Sequence, residues 1–176
     1  MKNIFTAVIL GIVFAGVSFA QARGGVSKTT LAVVEFTPGP NTSLTDPEAK
    51  RQIQAFVASQ LHKTHKFDVY DVRNTRAASQ SSLTSLNGGS TAAAVKLGKQ
   101  LKVSYVLTGS VVEYDPKDGQ VTLKFRLVDV ATGKVKYSGE STGNSNQPIR
   151  TGGTAEMMSK AVRPAVLDLT GKLTGV

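Results

Sequence analysis

The hydrophobic pattern changes period several times along the chain, and each change marks an element. Leu31-Ala32-Val33-Val34-Glu35-Phe36 is almost uniformly apolar, as expected of a strand inside a sheet. Thr37 to Thr45, with Pro38, Gly39, Pro40 and Asn41, reads as a loop. Asp46 then caps a helix with Pro47 at its first position and Glu48 in its first turn. Ala49, Ile53, Phe56, Val57 and Leu61 make its apolar stripe. Phe67 to Val72 is a second short strand, parallel to the first if the helix between them makes a right-handed crossover. From Arg73 to Ser90 the chain is rich in Ser, Thr, Asn, Ala and Gly, and the pattern predicts a mobile loop with at most one weak helical turn around Leu83.

Thr91 to Glu113 organises the rest. Up to Leu101 it is helical: Thr91 can cap, Ala92 to Ala94 are strong helix formers, and Val95 and Leu101 flank one side. From Val103 the period becomes two. Val103, Tyr105, Leu107, Gly109 and Val111 share a buried face, while Ser104, Thr108 and Ser110 interrupt the other. A glycine inside a strand weakens it, so Gly109 predicts the close approach of another backbone, expected to be a helix crossing the sheet.

Asp115 to Gly119 is a hairpin turn. Val121, Leu123, Phe125 and Leu127 then alternate with Thr122, Lys124, Arg126 and Val128, a half-buried strand. Ala131-Thr132-Gly133 turns into Lys134 to Gly139, with Val135 and Tyr137 inward and Lys134 and Lys136 outward. Ser141 to Gly153 reads as a polar loop. The last helix runs from Thr154 to Leu173 and buries Met158, Ala161, Val162, Ala165, Leu169 and Leu173. Pro164 should bend or restart it, having no amide for the bond to Lys160. The order β-α-β-α-β-β-β-α predicts an α/β (α+β) domain, a single mixed five-stranded sheet with helices packed on it.

Composition adds a cellular setting. Met1-Lys2-Asn3, the apolar stretch Ile4 to Phe19 and the small residues around Ala20 and Ala22 have the form of a secretory signal peptide. The expected division is a signal peptide at 1–22, a flexible mature N-terminus at 23–29 and one domain at 30–176. The apolar run is shorter than a membrane span needs, so the mature chain is expected to be periplasmic or secreted, with no lipid anchor and no transmembrane helix. The sequence contains no cysteine, which excludes disulfides, thiolate metal sites and the usual lipid attachment residue. Its 21 Lys+Arg against 12 Asp+Glu give a net charge of +9. Such a surplus suits nucleic acid, an anionic glycan, an anionic membrane surface or an acidic protein, and equally serves solubility.

Catalytic candidates are thin. Arg23 to Thr29 superficially matches a phosphate-binding loop, but it precedes a strand-like run where such a loop needs a preceding strand and a following helix. His62 and His65 are three apart at a helix end, with no third ligand nearby, and read as solvated residues at a helix C-terminus. Asp68 and Asp71 fall on opposite sides of a period-two strand, and no Gly-x-Ser-x-Gly turn presents a nucleophile. The expectation is no catalytic residue, no metal, no cofactor, no enzyme, and no nucleic-acid partner. One surface stands out: Lys124 and Arg126 on one strand, with Lys134 and Lys136 on its neighbour, should display four cations together, either as a solvated basic face or as a partner-binding site.

Several stretches in order resemble the family of the curli secretion protein CsgG and related small envelope proteins, among them LpoB-like activators of peptidoglycan synthases and PelC-like exopolysaccharide secretion components. They are Leu31 to Phe36, Phe67 to Arg73, Leu97-Gly98-Lys99-Gln100-Leu101 with Tyr105 to Ser110, and Leu127 to Gly133. The resemblance implies an anticodon-binding-domain-like fold and a non-catalytic role at the outer membrane, often as a ring of subunits. The chain departs from that family in having no lipid-bearing cysteine, no length for membrane-crossing hairpins and no apolar helix after Arg73. The expected function is a periplasmic binding and assembly module, self-associating and ring-like, with protein partners in the envelope. It would support an outer-membrane secretion, surface-appendage or cell-wall machine. The alternatives are a monomeric activator docking on a peptidoglycan synthase and, less favoured, a secreted hydrolase or metal-dependent enzyme.

Overall fold

Strand β1 (Thr29–Val33) has no solvent side: Leu31 and Val33 enter one core, Ala32 and the following Val34 another. A strand apolar at both parities must lie between two layers, and the computed structural model places it so. The structure describes residues 29–39, 42, 46–115, 119–145 and 154–175. The expected signal peptide, the N-terminal segment up to residue 28, the first hairpin's tip at 116–118 and the segment 146–153 lie outside the described residues.

The described strands form one mixed sheet in the order β3-β1-β4-β5-β6. β3 (Phe67–Val69) and β4 (Tyr105–Asp115) flank β1 in parallel, while β5 (Gln120–Asp129) and β6 (Val135–Asn144) continue antiparallel. The sheet has one strand more than the pattern predicts. β2 (Thr37–Pro38), expected as loop, pairs in parallel with Ser110 and Val111 of β4.

One face of the sheet is covered by α1 (Pro47–Lys63) and the C-terminal helix, with Ile53, Val57, Leu107, Phe125, Val166 and Leu169 in the shared core. Asp46 caps α1 by accepting from the Glu48 amide at 2.9 Å, as the sequence predicts. The C-terminal helix starts as α5 (Thr154–Met157), passes through a π-helical turn at Met158–Val162 and restarts as α6 (Arg163–Thr174). The restart falls at Pro164, as expected of a residue without an amide. The extra residue in the π-turn shifts the phase of the preceding turn, so Met157, and not Met158, is the buried methionine.

The other face is covered by α2 (Val72–Ser79), a 3₁₀ turn at Gln80–Ser82, α3 (Leu83–Asn87) and α4 (Thr91–Leu101). This corrects the expected loop over 73–90. The helices were hidden because the buried side chains are small and polar. Thr75 and Ser79 are almost fully buried, yet each returns its hydroxyl to a carbonyl of its own helix, Asp71 O at 2.8 Å and Arg76 O at 3.2 Å. A hydroxyl satisfied in this way behaves as a small apolar group toward its neighbours, and no 3.6-residue hydrophobic period records it. Asp71 is the cap of α2, accepting from the Asn74 amide at 2.8 Å. Ser90, not Thr91, caps α4. A buried polar chain ties this layer to α1: Gln54 donates to Val33 O at 2.8 Å and accepts from Arg76, whose guanidinium also lies 3.3 Å from Glu35.

Both faces of β4 are therefore buried. Val103 joins the α4 layer instead of sharing a face with Leu107. Two further expectations are corrected in β6. Val135 is 39% exposed and does not face inward, and the strand runs on to Asn144 where a loop was expected. There the one hydroxyl hydrogen of Ser141 is shared between Ala165 O at 2.6 Å and Asp168 Oδ2 at 2.5 Å, and Gly143 lies flat against the C-terminal helix. Helix contact on this strand requires small residues, which is why the segment reads as loop.

A Cβ on Gly143 would fall 2.5 Å from Ala165 N and closer still to the Ala161 carbonyl. Both are backbone atoms that cannot swing away, so Gly143→Ala should destabilise by about 1–3 kcal/mol, read from urea unfolding. Burial pushes the Asp168 carboxyl up, but hydrogen bonds from Lys172 and Ser141 and the Lys172 charge outweigh it and hold the group below its ordinary value. A depressed folded pKa stabilises above the unfolded value, near 3.9, and the effect is lost as pH falls through the folded one. Asp168→Asn should accordingly lower the urea midpoint at neutral pH and lose that effect as the pH falls below the folded pKa of the carboxyl.

Candidate functional site

The α2–α4 layer does not cover the whole of its sheet face. Val106 and Val128 pack beneath α4. Farther along the same face Thr108 stands opposite Arg126 and Ser110 opposite Lys124, and the helical layer ends at the Asn87-Gly88-Gly89 turn. Between that turn and the strands is a cleft of about 470 Å³, in the range of small-molecule sites.

Its wall is set by a mismatch in the sheet. Val33 pairs with Leu107 and Thr37 with Ser110, so Val34, Glu35 and Phe36 stand against only Thr108 and Gly109. The carboxamide of Asn87 fills the resulting gap, donating from Nδ2 to Glu35 O at 3.0 Å and accepting at Oδ1 from the Gly109 amide at 3.2 Å. It replaces the peptide group that a regular ladder would supply. On the opposite side of the sheet the Phe36 ring occupies the space a side chain at Gly109 would need. The close approach predicted at Gly109 is real, but it comes from an aromatic ring and the Lys124 carbonyl, not from a helix; the helix contact belongs to Gly143.

Arg126 turns toward the helical layer. Its Nη1 donates to Gly89 O at 3.0 Å and its Nη2 to Leu86 O at 3.3 Å, adding side-chain bonds to the turn that ends α3. Gly89 has φ +112°, and a Cβ there would lie 2.8 Å from Arg126 Nη1, so glycine is needed twice over. Thr108 is 1% exposed and lines the cleft floor, and its Oγ1 has no hydrogen-bond partner.

The four cations expected to act together are dispersed. Lys124 is at the cleft rim, 3.8 Å from Glu140, with both side chains more than half exposed. Arg126 is held by the α3 turn. Lys136 lies 5.0 Å from the centre of the Tyr105 ring and donates to its hydroxyl at 3.3 Å. Tyr105 packs with the Phe125 core, on the sheet face opposite Lys124 and Arg126. Lys134 is exposed beside the 131–133 turn. A register shift between Leu127 and Val128 breaks the alternation that would have aligned the two strands' cations. His62 and His65 are exposed, Asp68 is exposed on β3, and no group of three or more potential metal ligands occurs among the described residues. Asn87, Gly89 and Thr108 escaped the sequence reading, although Leu86-Asn87-Gly88-Gly89 carries a helix C-terminus signal.

Fold and cleft define a class: a small domain with a mixed sheet between two helical layers and a polar, cationic recess where one layer stops short. Within that class the chain belongs to the TolB amino-terminal domain family, whose model matches residues 22–135. Among solved structures it is similar to lipoprotein GNA1162 from Neisseria meningitidis, at 20% identity over 82% of this chain and 99% of that one, TM-score 0.52. It is also similar to LpoB from E. coli, at 20% identity over 66% of this chain and 58% of that one, TM-score 0.52. A PelC dodecamer from Paraburkholderia phytofirmans matches at 20% identity over 80% of this chain and 86% of that one, TM-score 0.49. The resemblance to LpoB read from the sequence is thus found at the level of fold. No curated protein matches the chain.

Asn87→Ala would leave the Glu35 carbonyl and the Gly109 amide without partners. It should lower stability by about 2 kcal/mol in urea unfolding and speed hydrogen exchange at the Gly109 amide.

Proposed function

We propose that this chain is a non-catalytic binding and assembly module of the cell envelope that works after export, associates with copies of itself in a ring-like manner and supports an outer-membrane secretion, surface-appendage or cell-wall machine. The observation that carries the reading is the open edge of the sheet. β6 ends the strand order among the described residues, offers a ten-residue edge and exposes Val135. An uncovered strand of that length is a ready template for pairing with another chain. Membership of the TolB amino-terminal domain family and the fold shared with the lipoprotein GNA1162 support the envelope setting. No helix among the described residues is long and apolar enough to cross a membrane.

The cationic contact residues follow the geometry. Lys134 is exposed and Lys124 only loosely paired with Glu140, so both can meet an acidic partner, Lys136 is shared with Tyr105, and Arg126 is a poor choice for mutation because it holds the α3 turn. A second reading, a monomeric activator docking on a peptidoglycan synthase, is favoured by the fold likeness to LpoB.

Sedimentation of the mature chain should show a defined oligomer, and Lys124→Glu combined with Lys134→Glu should shift it toward monomer without changing the unfolding midpoint. A wild-type monomer at all accessible concentrations would reject self-association and leave the activator reading.

A further inference from the structure

We propose that the end of the domain at which the parallel strands β1, β3 and β4 begin docks on an anionic phospholipid surface. The inference goes beyond the assembly role and rests only on the envelope setting of that reading.

Backbone contacts bring distant segments together at this end. Thr30 pairs with Asp68, its carbonyl accepts from the Ser104 amide at 3.2 Å, and the Ser104 carbonyl accepts from the Val130 amide at 3.0 Å. Lys66 donates to the Thr174 carbonyl, which fastens the end of α1 to the end of α6. The side chains gathered in this way are mostly cationic. Lys63 and Lys66 come from the end of α1 and the chain beyond it, Lys99 and Lys102 from the end of α4, and Lys134 and Lys136 from the β5–β6 connection. All six are exposed, and none lies within ion-pair distance of a carboxylate among the described residues. The acids at this end are Asp68 and Asp129, and Asp129 already accepts from the Thr132 amide at 2.9 Å. By contrast Glu35, Asp46, Glu48, Asp71, Glu113 and Asp115, half of the 12 acidic residues, stand where the same strands end.

Helix dipoles account for part of this asymmetry, since Lys63 and Lys99 lie in the last turns of α1 and α4. They do not account for Lys134 and Lys136, which belong to no helix, or for the carboxylates being kept to the far end. The residue type narrows the partner. A lysine is a hydrated point charge on a flexible stem, whereas a fixed phosphate is best gripped by the fork of an arginine. Six lysines on three separate chain connections, with no arginine among them, suit a fluid plane of headgroups better than one bound phosphate or a nucleic-acid backbone. Lysine clusters of this size are attracted to anionic lipid by charge alone.

The test is flotation of the mature chain with vesicles of phosphatidylcholine alone, and of about seven parts phosphatidylcholine to three of phosphatidylglycerol. Binding should require the anionic lipid and fall steeply between about 50 and 300 mM salt. A lysine near such a surface contributes about fivefold, so Lys63→Gln combined with Lys99→Gln should weaken binding about 25-fold. The sedimentation profile should not change, because neither residue is on β6. Arg51→Gln combined with Arg73→Gln removes the same charge at the opposite end and should bind as the parent does. The proposal is overturned if the anionic vesicles do not retain the chain, if the two double variants lose binding equally, or if an acidic polysaccharide, polygalacturonate, binds the chain while the vesicles do not. An oligomer that ignores anionic vesicles rejects this inference alone, and a monomer that binds them rejects only self-association.

Discussion

The fold turns on an unequal count of residues between two parallel segments: Val34, Glu35 and Phe36 must pass Thr108 and Gly109 without breaking the sheet. The chain meets this by sending Phe36 to one face and opening the backbone on the other. Phe36 is fully buried and lies over the missing side chain of Gly109, so the glycine and the ring are one interaction. Burying a ring of that size is worth about 2–3 kcal/mol. The polar groups exposed by the irregularity are bonded by Asn87, which fixes where α3 must end. Arg126 and Gly89 then secure that end, and the recess beside it is the consequence. A bulge in a parallel pair is uncommon, and here it links the central strands, the helical layer and the candidate site.

Around that constraint the sheet is packed on both faces, with large side chains on the α1 and α6 side and smaller ones under α2 to α4. The asymmetry has a chemical counterpart. The large-residue face is closed by apolar contact and the stacked pair Phe125 and Tyr137, 5.9 Å between ring centres. The small-residue face uses hydroxyls bonded within their own helices and the Glu35, Arg76 and Gln54 chain. Polar groups in such a layer need partners, and among the described residues the buried side-chain hydroxyl that lacks one is at the cleft. A layer built this way can stop short of the sheet edge without exposing a large apolar patch, which lets a polar recess persist there.

The family and the likeness in fold establish an architecture, not a role, and two surfaces of that architecture differ in kind. The β6 edge offers backbone groups, whereas the cleft offers charge, and the Lys124–Glu140 pair joins the two.

By itself the sequence determined the elements whose burial is carried by large apolar side chains. The alternation in Val121 to Leu127, the stripe of α1, the uniform run of β1 and the interruption at Pro164 each have a local cause and were readable in order. The resemblance in Leu97 to Ser110 and Leu127 to Gly133 was readable for the same reason, since it lies in these elements. Tertiary structure decided the rest. Thr75 and Ser79 became core because their hydroxyls bond inside their own helix, and Ser141 and Gly143 became strand because a helix needs small residues beneath it. The cations separated because a register shift and a helix end intervened, and Thr108, Arg126 and Asn87 met although none has a motif. Those outcomes depend on which backbone arrives opposite which residue, a relation between distant segments that no local period encodes.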